Sequence, residues 1–239
     1  MDLADRLHRL GLRFGLEVRR LNRVNSPTAR RLRLLGDLKI ALVLDVGANT
    51  GQYGRALRSA GYRGEIVSFE PQSAALAKLR RAGDADPGWR IEPIGLAAAA
   101  GRAEIQIAGN SASSSLLEMH ARHREAAPQT APVGTESIEL ATLDALAGEL
   151  IADGQATFLK LDVQGYELEV LKGAAQTLGK IAAIEVEMSL VELYRGAPSL
   201  PDLYSHLDAA GFECVAISPG FSDRRSGRML QVDGLFARA

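Results

Sequence analysis

Strand-like and helix-like segments alternate along most of this chain. That alternation predicts an α/β fold: a doubly wound, mostly parallel seven-stranded sheet behind a helical N-terminal extension. Three observations carry the prediction. The apolar run at 41–46 ends on Gly47-Ala48-Asn49-Thr50-Gly51, as a first strand turning into a helix does. A second apolar run, 65–69, closes on Glu70-Pro71. A third, 157–163, passes through Gln164-Gly165 into a helical pattern.

Composition bounds the rest. With 239 residues there is room for one large α/β core, read as residues 40–239 behind an extension of residues 1–39. Hydrophobic residues make up 46% and charged residues 24%, the balance of a soluble globular protein. The single cysteine, Cys214, excludes an internal disulfide framework and a Cys-x-x-Cys metal site; its apolar surroundings mark a buried, inert thiol. Arginines interrupt every apolar stretch near the start. Neither a signal peptide nor a membrane span is therefore expected, and a reducing, cytoplasmic setting is the default. Net charge is −1 but unevenly spread: residues 1–39 carry ten Lys/Arg against four Asp/Glu, +6, and the remainder eighteen against twenty-five, −7. An acidic body argues against nucleic acid as a partner.

Taken in order, residues 1–24 place Leu3, Leu7, Leu10, Phe14, Val18 and Leu21 at steps of three or four, with Arg6, Arg9, Arg13 and Arg20 on other faces. This is a basic amphipathic helix. Three docking partners are open: its own domain, a second subunit in a homodimer, or an anionic membrane surface where a lipid-linked substrate sits. Asn25-Ser26-Pro27 breaks it, and a short basic segment, 28–38, leads into the first strand. Strand 41–46 is followed by a helix at 51–60, strand 65–69 by a helix at 73–81, and a strand at 89–94 comes next. Residues 101–140 depart from the alternation: a strand at 101–108, a polar loop at 110–115, a helical stretch at 116–126 and a short strand at 137–140. An insertion at this point belongs over the carboxyl edge of the sheet, as a lid and part of an acceptor pocket. Strand 157–163, a helix at 167–178 and strand 182–187 resume the pattern. Helices near 189–194 and 200–210 and two last strands, 212–217 and 230–237, close the chain.

The loop after the first strand identifies the ligand class. Gly47 and Gly51 let backbone approach a ligand and accept positive φ. A dinucleotide fingerprint reads G-x-G-x-x-G, with its pyrophosphate on a helix N-terminus; here the order is Gly47-x-x-x-Gly51-x-x-Gly54. Asp45 stands where a pyrophosphate would be repelled, whereas S-adenosylmethionine (AdoMet) carries an ammonium and a sulfonium and no phosphate. Glu70, nineteen residues after Gly51, can accept both ribose hydroxyls. The bland alternative is that Asp45 and Glu70 only cap the helices that follow. A nucleotide-binding oxidoreductase and a non-catalytic AdoMet-binding partner are the rival functions.

The second loaded segment is Phe158-Leu159-Lys160-Leu161-Asp162-Val163-Gln164-Gly165-Tyr166-Glu167. Lys160 and Asp162 share a face of the strand, which is costly unless they pair or touch a ligand. Asp162 is the first choice for the catalytic centre: it can orient an acceptor hydroxyl, act as general base or ligate a metal. The alternative is a structural Lys160–Asp162 pair. Glu185 and Glu187 share a face of the fifth strand. Glu187 can join Asp162 in a hard divalent site, a less favoured reading than hydrogen bonding to a sugar. His120 and His123 are further base candidates, although the absence of an apolar pattern puts their helix at the surface.

These blocks resemble the FkbM family of AdoMet-dependent methyltransferases over roughly residues 41–237. The resemblance rests on residues 43–51, Phe69-Glu70-Pro71, Ser113-Ser114-Ser115-Leu116, Thr142-Leu143-Asp144 and, most specifically, residues 158–173. It implies a class I methyltransferase (Rossmann-like) sheet and O-methylation of a hydroxyl on a sugar, glycolipid or polyketide-type acceptor, with S-adenosylhomocysteine as product. It implies cofactor contacts from Asp45, Gly47, Asn49, Gly51 and Glu70; the adjoining Ala48, Tyr53 and Pro71 are read as further cofactor contacts. Asp162 would lie near the methionine end or the acceptor. Ser114, Ser115, Glu185 and Glu187 are read as acceptor-side residues. Family members often carry Glu-Gly-Ala where this chain has Gln164-Gly165-Tyr166, so no carboxylate is available at 164.

Overall fold

The computed structural model describes residues 3–16, 24 and 26–238. They fall into two units, 1–37 and 38–239. The first contains helices α1 (Leu3–Leu12) and α2 (Pro27–Asp37). The amphipathic helix expected through residue 24 ends at Leu12, before a turn with Gly15 at φ +69°; Val18 and Leu21 lie outside the described residues. Leu7, Leu10, Leu12, Phe14 and Leu16 are exposed. No helix among the described residues is long and apolar enough to cross a membrane.

The second unit begins with the alternation read from the sequence: β1 (Leu42–Val46), α3 (Gln52–Ser59), β2 (Glu65–Phe69), α4 (Ser73–Gly83) and β3 (Trp89–Glu92). After β4 (Gly95–Leu96), β5 (Gly101–Ala108), α5 (Ala121–Ala126) and β6 (Pro132–Ala141) come α6 (Leu143–Leu150), β7 (Thr157–Leu161), α7 (Glu167–Lys172) and β8 (Ile181–Ser189). Helix α8 (Leu200–Ala209) and strands β9 (Phe212–Pro219) and β10 (Gln231–Arg238) finish it. The main sheet has seven strands in the order β3-β2-β1-β7-β8-β10-β9. All pairs are parallel except those of β10, which runs against both β8 and β9. Strands β1 and β7 are buried at every residue, as strands covered on both faces must be, and read as apolar runs interrupted by Asp45 and Lys160. In edge strand β9 only Phe212 is buried, and exposed and half-buried positions alternate after it.

The chain winds outward from β1 to β3 and then returns to place β7 on the other side of β1. The carboxyl ends of β1 and β7 thus flank the switch point where α/β sheets bind ligands. The two loops touch there: a Cβ on Gly47, at φ +77°, would lie 1.9 Å from the carbonyl oxygen of Asp162, so only glycine fits.

The insertion forms a second sheet, β4-β6-β5. Its strand at 132–141 is longer than the 137–140 expected, because ladder bonds to β5 extend it over residues that look polar and loop-like. Two expected helices are corrected. At 116–126 only Ala121–Ala126 is helical. The helix near 189–194 is absent: the His120 N–H donates to Leu193 O at 2.9 Å and the Arg195 N–H to Glu118 O at 2.8 Å. Extended pairing between 118–120 and 193–195 satisfies those backbone groups in place of a helix. The helix expected at 167–178 stops at Lys172, before Gly173.

Candidate active site

Two polar rows cross the carboxyl half of the main sheet. In the lower row Ser68, Asp45, Lys160 and Glu185 stand in register on β2, β1, β7 and β8. The Trp89 indole N–H donates to Ser68 Oγ at 3.0 Å, and Ser68 Oγ donates to Asp45 Oδ2 at 3.2 Å. Lys160 Nζ lies 3.1 Å from Asp45 Oδ1 and 3.6 Å from Asp162 Oδ2. It also donates to the Gly47 carbonyl at 3.1 Å. Burial pushes the Lys160 ammonium toward losing its proton, but Asp45 and Asp162 outweigh that and hold it above the ordinary lysine range. The Tyr53 hydroxyl donates to Glu185 Oε2 at 2.8 Å.

This corrects the expected role of Asp45. Its carboxylate is fully buried, bound to Lys160 and Ser68, and lines none of the cavities described below. A partner on the neighbouring strand takes the charge that was expected to face a cationic ligand. Lys160 pairs mainly with Asp45, closer than with Asp162. Glu185, held by Tyr53, likewise stays out of the cavities.

The upper row is built differently. Asp162 follows β7, Glu187 lies on β8 and Asp233 pairs with it on β10. Gln164, at φ +55°, bridges the first two: its Nε2 donates to Asp162 Oδ1 at 2.7 Å and to Glu187 Oε2 at 2.8 Å. Gln231 Nε2 donates to the same Glu187 oxygen at 2.6 Å. The Tyr194 hydroxyl lies 2.7 Å from Gln164 Oε1 and 2.9 Å from the Ser113 carbonyl, sharing one proton between two acceptors. Below the row, Glu167 accepts the Val163 and Gly165 N–H groups, and burial raises it to about 7. Burial and the charges of Asp162, Glu167 and Asp233 raise Glu187 well above the usual carboxylate range.

Three cavities meet at Asp162 and Ala112, which line all of them. The first is mainly apolar, walled by Phe69, Ile94, Leu96, Ile105, Ile138 and Leu140, with Glu70 and Pro71 at its edge. Glu70 Oε2 accepts the Asn49 N–H at 2.7 Å and its Oε1 the Gln72 N–H at 2.8 Å; burial raises it to about 7 against those bonds. The second cavity, about 320 Å³, is lined by Gly47, Ala48, Asn49, Gln52, Tyr53 and Lys160. Asn49 faces both, and its buried Nδ2 has no hydrogen-bond partner while Oδ1 accepts from Ser111. The third, about 610 Å³, is polar, with Asn110, Gln129, Gln164, Gln231 and Glu187 in its wall.

Other expected residues are distributed unevenly. Gly51, at φ +83°, caps α3 and packs against Trp89 and Leu79, outside the cavities. Ser114 and Ser115 line the apolar cavity, not the polar one, and their hydroxyls bind the Ala108 N–H and the Gln164 carbonyl. His120 caps α5, accepting the Arg122 N–H at 3.2 Å, and reaches none of the three cavities. His123, expected at the surface, is 2% exposed against Tyr194 and Phe221, and burial lowers its pKa to about 4. The metal alternative finds no donor set: an amide nitrogen bridges Asp162 and Glu187, and no cluster of three metal-ligating side chains exists among the described residues. Gln164, Tyr194 and Gln231 were not singled out by their side chains in the sequence. Cys214 is only partly buried, its thiol 3.7 Å from the Ala216 carbonyl.

The model of the methyltransferase FkbM domain matches residues 45–214. The 2-O-methyltransferase NoeI of Sinorhizobium fredii (strain NBRC 101917 / NGR234) is 25% identical over 184 residues, 74% of each chain. Methyltransferase sdnD of Sordaria araneosa is 25% identical over 193 residues, 72% of this chain and 73% of that protein. In fold, the chain is similar to magnesium protoporphyrin IX methyltransferase (ChlM) from Synechocystis PCC 6803, solved with SAM bound: TM-score 0.50, 11% identity, 100% of this chain and 85% of that one. The fold is that of class I methyltransferases, and the chain belongs to the FkbM methyltransferase family.

Proposed function

We propose that this FkbM-family methyltransferase uses AdoMet to methylate a hydroxyl of a sugar, glycolipid or polyketide-type small molecule. The observation that carries the reading is the junction of three unlike cavities at Asp162. An apolar cleft edged by a carboxylate suits a nucleoside: Glu70 would receive the ribose hydroxyls, and the aliphatic wall the adenine. The buried, partnerless Asn49 Nδ2 faces both cofactor-side cavities. A buried donor without an acceptor costs stability until a ligand oxygen meets it, so the residues present fit the cofactor. The second cavity would take the methionine end between Gly47, Asn49 and Tyr53.

Bound AdoMet supplies a methyl group already activated on sulfonium. The chain then has to align it with the acceptor oxygen and exclude competing water, and alignment is a large contribution to rate. Asp162, common to the cofactor and polar cavities, would orient the acceptor hydroxyl. Ser114 and Ser115, bonded across the insertion, would close the apolar cleft rather than touch the acceptor. The acidic body argues for a small-molecule acceptor over nucleic acid.

The test is transfer of labelled methyl from AdoMet into an extract of cells that lack this chain and therefore hold the unmethylated acceptor. Label in an alkali-stable methyl ether of a small molecule is expected. Label in nucleic acid or on nitrogen, or no transfer, contradicts the reading. Asp162→Asn should retain AdoMet binding and lose turnover.

A further inference from the structure

We infer that Glu187 takes the proton of the acceptor hydroxyl, positioned by Gln164 and Gln231 in the wall of the polar cavity; this rests on the methyl-transfer reading above. The two amides converge on one oxygen, Oε2, at 2.8 and 2.6 Å. They fix the carboxylate in place and leave Oε1 with no hydrogen bond among the described residues. Glu187 is half-buried rather than sealed and lines the 610 Å³ cavity, which leaves Oε1 as the oxygen open to a donor there. An acceptor hydroxyl in that cavity can donate to it.

The neighbouring candidates are engaged or sealed. Asp162 has Oδ1 bound by Gln164 and Oδ2 facing the Lys160 ammonium at 3.6 Å. His123 has a buried Nδ1 that meets no partner, and burial keeps it neutral down to about pH 4, which makes it a weak base. The groups facing Glu187 are Lys160 from β7, Asp162 just after it, Glu167 from α7 and Asp233 from β10, with His123 and Arg224 on the same cavity. Three of these are acids, and they add to burial in raising the affinity of Glu187 for a proton. A carboxylate whose proton affinity is raised accepts a proton more effectively than an ordinary one.

The step balances. The acceptor oxygen forms a bond to the methyl carbon, and the carbon–sulfur bond breaks with its electron pair left on sulfur. The hydroxyl proton passes to Glu187 Oε1 and then to solvent through the open cavity. The amides Asn110 and Gln129 offer further polar contacts for a polyhydroxylated acceptor.

The experiment measures S-adenosylhomocysteine formation with the acceptor-containing extract against pH for wild type, Glu187→Gln and Glu187→Asp. Glu187→Gln should bind AdoMet as wild type does and lose about 10²–10⁴-fold in turnover. It should also lose the limb along which the wild-type rate rises with pH, and Glu187→Asp should restore part of both. Independently, carbon NMR of glutamate-labelled protein should show a carboxyl resonance, absent from Glu187→Gln, titrating above the ordinary range. Wild-type turnover and an intact limb in Glu187→Gln overturn the proposal, as does loss of AdoMet binding in that variant, which makes the residue structural. A wild type that transfers no methyl overturns the functional reading itself.

Discussion

The two polar rows differ in one ingredient. The lower row, Ser68–Asp45–Lys160–Glu185, holds a cation between its acids and lies almost wholly buried. The upper row, Asp162–Gln164–Glu187–Gln231, sits one step nearer the loops and replaces the cation with neutral amides. A buried charge matched by an opposite charge contributes to the scaffold; a buried acid crowded by other acids, as Glu187 is, has a raised proton affinity and marks a site. The same sheet therefore carries a structural row and a chemical row side by side.

The largest expected effect breaks the lower row. Lys160→Met leaves Asp45 buried without its cation and should cost about 3–5 kcal/mol in a urea titration; a loss below about 1 kcal/mol would make the ion pair incidental. Next, Gln164→Glu turns the bridging donor of the upper row into a third acid. It should cost about 2 kcal/mol at pH 8, and less at pH 5 where acids protonate, read by denaturation at both values. Equal losses at the two pH values would show that the row is not electrostatically crowded. Ser68→Ala removes the link between Trp89 and Asp45 and should cost about 1 kcal/mol, visible as a lower melting temperature. A pH-dependent effect sits beside the upper row. Glu167 has a folded pKa of about 7 against 4.5 for the free group. Between those values the unfolded chain releases a proton that the folded protein keeps, so stability falls as pH rises through that window. Glu167→Gln should lack this fall, and its melting temperature relative to wild type should be higher at pH 8 than at pH 4.5.

How much of this was legible follows the range of the interactions. Strands β1, β2 and β5 and the glycine loops are local patterns, and the sequence marked them to within a residue or so. Asp162 and Glu187 announced themselves as polar residues ending apolar strands, which is expensive without a purpose. The pairing of Asp45 with Lys160 was hidden, because strand-to-strand register is set by residues more than a hundred positions apart. Same-face alternation pointed instead to Asp162 as the lysine's partner. His123 has no periodic apolar neighbours, and it is Tyr194 and Phe221, distant in sequence, that bury it. The segment 189–194 looked helical, but the backbone of 193–195 bonds with residues 118–120. Gln231 carries no motif; only its place on the strand beside β8 brings it to Glu187.

The central claim is that the clefts above β1 and β7 receive a phosphate-free, cationic nucleoside. Calorimetric titration of the whole chain with AdoMet, and separately with NAD and NADP, tests it most directly. One molecule of AdoMet per chain with measurable heat, weakened by Glu70→Ala, and no heat from either dinucleotide is the predicted result. Binding of a dinucleotide with none of AdoMet would contradict it.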